Sequence, residues 1–378
     1  MHAELLDIKQ VTAGPLHHAF TSLCQWRGTY YCAYRVASSH NIVPPGHVVI
    51  QCAKPQDIAL NWWRDNTTLT HPVGDARDPR LIPSAEALYC LVGVYLPAPH
   101  HAHWHGHGHG HGHGHGHGHG HGLSPLPTDN ILQTFLSYTT DGVTWTSLIP
   151  VGQVNAWAWS AMPTRTCWLA AAYHVGTHLD STMRISLFAG KSLLVLSHAY
   201  TIYDGSAPEA MAPHYRPCEP VLWEPTPETL ACCVRTESSM DIGLSRFPYA
   251  NWRWVNTGRP LHPSTVLRTP HGWLLAAREE VLTGDRSLPT ERQRLASRQK
   301  EWRTALFELP AGYMIPRRLL ALPSGGDTGY AGLALGAEEG TVLCSFYSQH
   351  DTLKREAYST TLPGASVYIA TVRIIASP

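Results

Sequence analysis

Charge is scarce in this chain and carries no bias: acidic and basic residues make up 15% of its 378 positions, 28 of each sign. A balanced, weakly charged surface has no field with which to draw in nucleic acid or an anionic membrane, so neither partner is expected. Long apolar runs are missing too. No stretch approaches the roughly 20 apolar residues that cross a bilayer as a helix. The opening Met1 to Gly14 carries Glu4, Asp7 and Lys9 and lacks the basic and apolar regions of a secretory leader. Paired cysteine spacing is also absent. Nine cysteines is an odd number; Cys24, Cys32, Cys52, Cys90, Cys167 and Cys344 sit singly in apolar segments. The adjacent Cys232 and Cys233 have neither metal-site spacing nor easy disulfide geometry. They read as small buried thiols in a reducing compartment, which sets the expectation of a cytoplasmic protein.

Long helical periodicity is the last thing lacking, and what replaces it defines the fold class. With 43% hydrophobic residues the chain can bury a large core, and its apolar segments are short, aromatic and β-branched, cut by Gly, Pro, Asn and Asp. Six such segments recur: 28–34, 87–95, 166–173, 229–234, 272–277 and 340–347. Each follows a second strand-like run, at 20–26, 79–83, 157–162, 219–223, 264–268 and 330–335. A unit of three or four strands repeated six times buries both sheet faces only when stacked around an axis. The expectation is all-β: one six-bladed β-propeller of four-stranded antiparallel blades over residues 1–378, as a single domain. The only helix-like segment is Glu291 to Phe307, rich in Arg, Gln, Glu, Lys and Ala, read as an insertion in the fifth unit.

His100 to Gly122 contains nine successive His-Gly pairs. Alternating glycine is costly to order and offers little to pack, so a disordered loop insertion at 100–122, within the second unit, is expected. Neutral imidazoles in such a tract bind divalent metal adventitiously; a repeat expansion tolerated at a loop tip is the plainer explanation.

Several motifs carry a resemblance. Thr139 to Trp145 is similar to an Asp-box hairpin, in which an Asp accepts backbone N–H bonds, a Gly takes positive φ and a Trp wedges between strands. Phe20 to Leu23, Gly28 to Arg35 and Ser38 to His40 resemble the first blade of the sialidase superfamily. Arg77-Asp78-Pro79-Arg80-Leu81 resembles its second-blade lead-in; Glu219-Pro220-Val221 with Arg235 sixteen residues on, its fourth. Pro263 to Arg278 is similar to the fifth blade, and Gly325 to Leu333 to the Gly-Tyr turn of the sixth. The chain is therefore identified as a divergent member of this superfamily of propellers with Asp-box (BNR) repeats.

That resemblance implies an exo-acting glycoside hydrolase for an acidic or polar glycan, needing no metal and no organic cofactor. Tyr330 would be the nucleophile and Glu219 its base, since a hydroxyl with a pKa of about 10 needs one near neutrality. His40 or Asp78 would supply the acid, and Arg35, Arg235 and Arg278 would bind the anionic group through their planar forks. Arg77, Asp327, Trp157 and His350 complete the implied substrate-binding set. Two departures stand out: Ala19-Phe20-Thr21-Ser22 lacks the arginine that opens the first blade in sialidases, and His40 holds the place of their acidic Asp.

Each assignment has a structural alternative. Arg35 and Arg235 end apolar strands and could cap a sheet edge, and Arg278 precedes Glu279 and Glu280, a local ion-pair set. Asp78 could serve only its turn, and His40 could be an ordinary loop histidine. Trp157 and Trp159 suit sugar stacking or packing between blades. The rival functions are a non-catalytic carbohydrate-binding propeller, which keeps the arginines without a competent nucleophile, and a protein scaffold, whose polar residues would scatter. Convergence of Tyr330 and Glu219 separates them.

Overall fold

A computed structural model describes residues 1–97, 130–174, 184–205, 217–236, 238–283, 299–310, 315–351 and 364–376. In chain order, β1 (His2–Gln10) is followed by the first blade, β2 (His17–Trp26), β3 (Thr29–Ala37), β4 (His47–Ala53), the one-turn helix α1 (Pro55–Ile58) and β5 (Arg64–Leu69). The second blade comprises β6 (Asp75–Pro83), β7 (Leu88–Pro97), β8 (Asn130–Thr139) and β9 (Ile149–Val151). The third holds β10 (Ala156–Pro163), β11 (Trp168–His174), β12 (Arg184–Ser192) and β13 (Val195–Asp204). The fourth holds β14 (Cys218–Thr226), β15 (Thr229–Arg235), β16 (Met240–Arg246) and β17 (Arg253–Asn256). In the fifth are β18 (Leu261–Thr269), β19 (Gly272–Thr283), β20 (Gln299–Leu309) and β21 (Arg317–Ala321). The sixth has β22 (Gly329–Leu335), β23 (Thr341–Ser348) and β24 (Ser366–Ile375), and β1 pairs antiparallel with β24 as its fourth strand. Six four-stranded antiparallel sheets result, a six-bladed propeller whose last blade is closed by the first strand of the chain.

Burial explains why the second strand of each blade stood out in the sequence. Every residue of β3 and of β23 is buried, because neighbouring blades cover both faces of these strands. A strand sandwiched this way reads as a continuous apolar run instead of an alternating one. The inner strands β2, β6, β10, β14, β18 and β22 contact one another around the axis.

The 139–145 turn has the expected bonds. Asp141 Oδ1 accepts from Thr139 Oγ1 (2.9 Å) and from the backbone N–H groups of Val143 and Thr144 (2.8 Å each). Gly142 takes φ 80°. Trp145 Nε1 donates to Asn66 Oδ1 (2.6 Å), tying this turn to the outer strand of the first blade. One expectation is corrected. Residues 299–307, read from composition as part of a helix, lie in strand β20, paired with β19 from Trp273↔Leu309 to Thr283↔Gln299. Its helix-forming residues are overridden by pairing within the fifth blade. The remainder of that segment, 291–298, and the His-Gly tract at 100–122 lie outside the described residues.

Candidate active site

The site is built from bulges. Each inner strand breaks register near its start against its partner, between Ala19 and Ser22, Arg77 and Arg80, Ala158 and Ser160, Cys218 and Val221, Pro263 and Thr265, and Gly329 and Gly332, and β14 breaks again between Trp223 and Thr226. A bulge leaves a residue unpaired and re-aims its side chain. Phe20, Asp78, Trp159, Glu219, Ser264 and Tyr330 are the first residues inside these breaks, one in each blade. Four of them, Phe20, Asp78, Glu219 and Tyr330, hold left-handed backbone (φ 60°, 50°, 54° and 42°). Non-glycine residues in that region carry strain of about 1–3 kcal/mol each, and such strain collects where function requires it.

Tyr330 and Glu219 meet. The Tyr330 hydroxyl donates to Glu219 Oε1 (2.7 Å), and Arg235 Nη1 donates to the same oxygen (2.6 Å). Glu219 Oε2 is enclosed without a partner. Burial, joined by the Glu219 charge, pushes the Tyr330 phenol well above its ordinary range, and Arg235 and Arg278 offset only part of this. The phenol therefore stays protonated until a base takes its proton, and Glu219 is the base in contact.

Arg278 faces away from Glu279, which follows it. Its Nε (3.1 Å) and Nη2 (2.7 Å) bond to His262 Nδ1, its Nη1 donates to the Thr328 carbonyl, and its guanidinium lies 5.7 Å from the Tyr330 ring. Successive strand residues face opposite sides, and Glu279 pairs instead with Arg318 (2.9 Å). Burial, with Arg235 and Arg278 nearby, holds His262 well below the usual histidine range, in the neutral form that can accept.

Asp78 is buried, and burial pushes its carboxyl up to about 6 against the pull of Arg77 and Arg80. Arg80, two residues on, lies 4.1 Å over the Trp159 ring and 5.7 Å from that of Tyr330. The sequence reading assigned a role to neither Arg80 nor Phe20. Their signal was the bulge itself, which apolar patterning does not reveal.

Other residues named from sequence are held elsewhere. Arg35 is fully buried, with Nε and Nη2 on Asp75 and its remaining donors on the carbonyls of Ser39 (2.8 Å) and Asn41 (2.6 Å). Its fork is committed to bracing the 38–46 loop, so the structure does not offer it to a substrate. Arg77 bonds Asp75 and the His40 carbonyl (3.1 Å), positioning the same loop. Asp327 is likewise fully buried: His17 Nε2 (2.9 Å) and His40 Nδ1 (2.6 Å) donate to Oδ2, and the Tyr347 hydroxyl to Oδ1 (2.7 Å). Burial alone would raise the Asp327 carboxyl, but His40 and His17 outweigh it and hold it well below the usual range. Asp327 thus fixes the ring of His40, whose side chain remains 26% exposed. These three side chains bring ligand atoms within 4.8 Å of one another. Their two N···O separations are hydrogen-bond lengths, shorter than the ~3.3 Å between tetrahedral zinc ligands.

Trp157 packs between blades, stacked on Tyr173 and pressed against Gly93 of β7. Trp159, two residues on, is the tryptophan beside Tyr330, at 5.5 Å between rings. His350 bonds Ser348 (2.8 Å) and packs on Tyr368 in the outer part of the last blade's sheet.

No protein family and no curated protein matches the chain by sequence. Solved structures do match in fold. Trypanosoma rangeli sialidase in complex with sialic acid superposes with TM-score 0.59 at 8% identity, over 99% of this chain and 59% of that one. Penicillium chrysogenum alpha-L-arabinanase complexed with arabinobiose gives 0.60 at 11%, over 97% and 98%. Phage phi92 endosialidase gives 0.57 at 10%, over 98% and 69%. The chain therefore has the six-bladed propeller fold of sialidases and arabinanases, which are glycoside hydrolases. It spans about three-fifths of the length of the trypanosomal sialidase chains.

Proposed function

We propose that the protein is a sialidase-like glycoside hydrolase that works through a tyrosine nucleophile at the propeller axis. The observation that carries this reading is the 2.7 Å bond from the Tyr330 hydroxyl to Glu219, in a carboxylate also held by Arg235. A buried phenol paired with a base is the arrangement a tyrosine nucleophile needs, and neither a binding module nor a scaffold has use for it. Tyr330 Oη bonds to the anomeric carbon as its proton passes to Glu219. The bond to the glycosidic oxygen breaks, its electron pair leaves with that oxygen, and Asp78 protonates it. Water then attacks the glycosyl-tyrosine and gives its proton to Asp78, while Tyr330 leaves and recovers the proton held by Glu219. Asp78 is assigned the acid because it stands on the bulge ring and burial places its carboxyl at about 6, close to working pH.

The test is a screen of the purified protein against fluorogenic sialosides, uronides and neutral glycosides, with Tyr330→Phe beside it. Turnover that falls by about three orders of magnitude or more in the variant, at unchanged melting temperature, is the expected result. Turnover that survives the substitution removes the mechanism; glycan binding without turnover by the parent protein supports the non-catalytic alternative.

A further inference from the structure

The fourth blade carries a cavity remote from the candidate active site. Register places it. Cys218 pairs with Arg235, and Arg235 with Met240, at the end of the blade that holds Glu219, whereas Thr229 pairs with Arg246 at the other end. The 247–252 turn joining β16 to β17 therefore lies on the propeller face away from Tyr330. There Thr229, Arg246, Phe247, Asn251, Trp252 and Arg253 line a cavity of about 640 Å³, within the size range of small-molecule sites.

One wall is a fixed aromatic ring. Trp252 is half-buried; its ring stacks on Trp254 (5.5 Å between centroids, 20° between planes), and its Nε1 donates to the Tyr249 carbonyl (2.9 Å). Tyr249 roots the turn in the core: it is buried and holds φ 66°, a left-handed conformation that a bulky residue adopts only under constraint. Phe247 stands at the rim, 69% exposed and edge-on to Tyr249 at 5.7 Å. Around the Trp252 ring are polar side chains with no task inside the fold. Thr229, Asn251, Arg246 and Arg253 form no side-chain hydrogen bond and no ion pair with any of the described residues.

We propose that this cavity is a second carbohydrate site, in which a sugar ring lies with its C–H face on Trp252 and its hydroxyls meet Asn251, Thr229 and the two arginines. A sugar hydroxyl both donates and accepts, and so do the Asn251 amide and the Thr229 hydroxyl, while the guanidinium groups donate to its oxygen. A simple anion would use only the arginines. A proline-rich segment offers carbonyl acceptors and no backbone donors, which leaves the acceptors of Asn251 and Thr229 unserved. The pinned ring loses little freedom when a ligand settles on it, which favours binding. The proposal does not depend on chemistry at Tyr330. A glycan gripped on the far face holds the protein on a polymer whatever the axis does to it.

Titration calorimetry of the intact Tyr330→Phe protein tests this, with oligosaccharides of arabinan, xylan, mannan and polysialate as ligands, and a polyproline peptide and inorganic sulfate as rival occupants. At least one oligosaccharide should show a binding event that Trp252→Ala weakens by about tenfold or more. Asn251→Ala combined with Arg253→Ala, run with thermal melts, should weaken the same event and covers the case in which Trp252→Ala fails to fold. No oligosaccharide binding, binding that the folded variants leave unchanged, or a peptide or sulfate bound through Trp252 more tightly than every sugar would each overturn the proposal. Turnover of small glycosides by the parent protein belongs to the axis and should be the same in Trp252→Ala. Its absence from the parent removes the hydrolase reading and leaves the second site standing.

Discussion

Asp78 shows how position on the bulge ring determines chemistry at the residue scale. Its carboxyl is pushed up to about 6 because burial penalises its charge more than Arg77 and Arg80 favour it. As the proposed acid it acts in its protonated form, so activity should fall as pH rises through about 6. The same sign governs stability, since the fold loses free energy as this carboxyl ionises between its unfolded value of about 4 and its folded one. A kcat/KM profile of the parent protein and Asp78→Asn checks this; the variant should lose most activity together with that alkaline limb, and a limb retained unchanged would assign the acid elsewhere. Tyr330, Glu219 and Arg235 were legible in the sequence because each sits in a short motif with its own turn chemistry. Arg35 and Asp327 were not, since the partners that occupy them, Asp75 for one and His17, His40 and Tyr347 for the other, come from distant parts of the chain. Arg80, quoted only within the second-blade motif, was given no role there because the Trp159 ring it lies over comes from the next blade.

At the scale of elements, the inner strands carry both the packing and the site. Sequence runs placed these strands but began most of them at or beside the bulge, where apolar and aromatic residues gather, whereas pairing starts earlier, at His17 in β2 and Asp75 in β6. Composition also misled at β20, where charged and alanine-rich sequence suggested a helix although Thr304, Ala305, Leu306 and Phe307 are buried on both faces of the strand. Packing between blades makes its own prediction. A methyl group at Gly93 of β7 would lie 2.1 Å from the ring of Trp157 on β10. Gly93→Ala should therefore destabilise the protein by about 1–3 kcal/mol or more, as overpacking does. Chemical denaturation measures it, and a neutral substitution would mean that the second and third blades yield more easily than their close contact implies.

The whole molecule is a ring closed by one strand. β1 pairs with β24 from His2↔Ile375 to Gln10↔Tyr368, so the sixth blade needs both ends of the chain. Removing residues 2–10 should cost several kcal/mol, with ladder hydrogen bonds contributing about 1 kcal/mol each, and should leave β24 as an open edge prone to association. Light scattering during a thermal melt would show it; an unchanged, cooperative melt would deny β1 this role. The repeat made the ring legible from sequence, while the convergence of side chains at its centre came from six register breaks that no local pattern announces. The central claim is that Tyr330 attacks the sugar. It is tested most directly by intact-protein and peptide mass spectrometry after exposure to a fluorinated glycosyl fluoride of whichever sugar the glycoside screen finds turned over. The account predicts one added glycosyl mass on the peptide containing Tyr330, absent in Tyr330→Phe; an adduct on another residue, or turnover with no adduct at all, would contradict it.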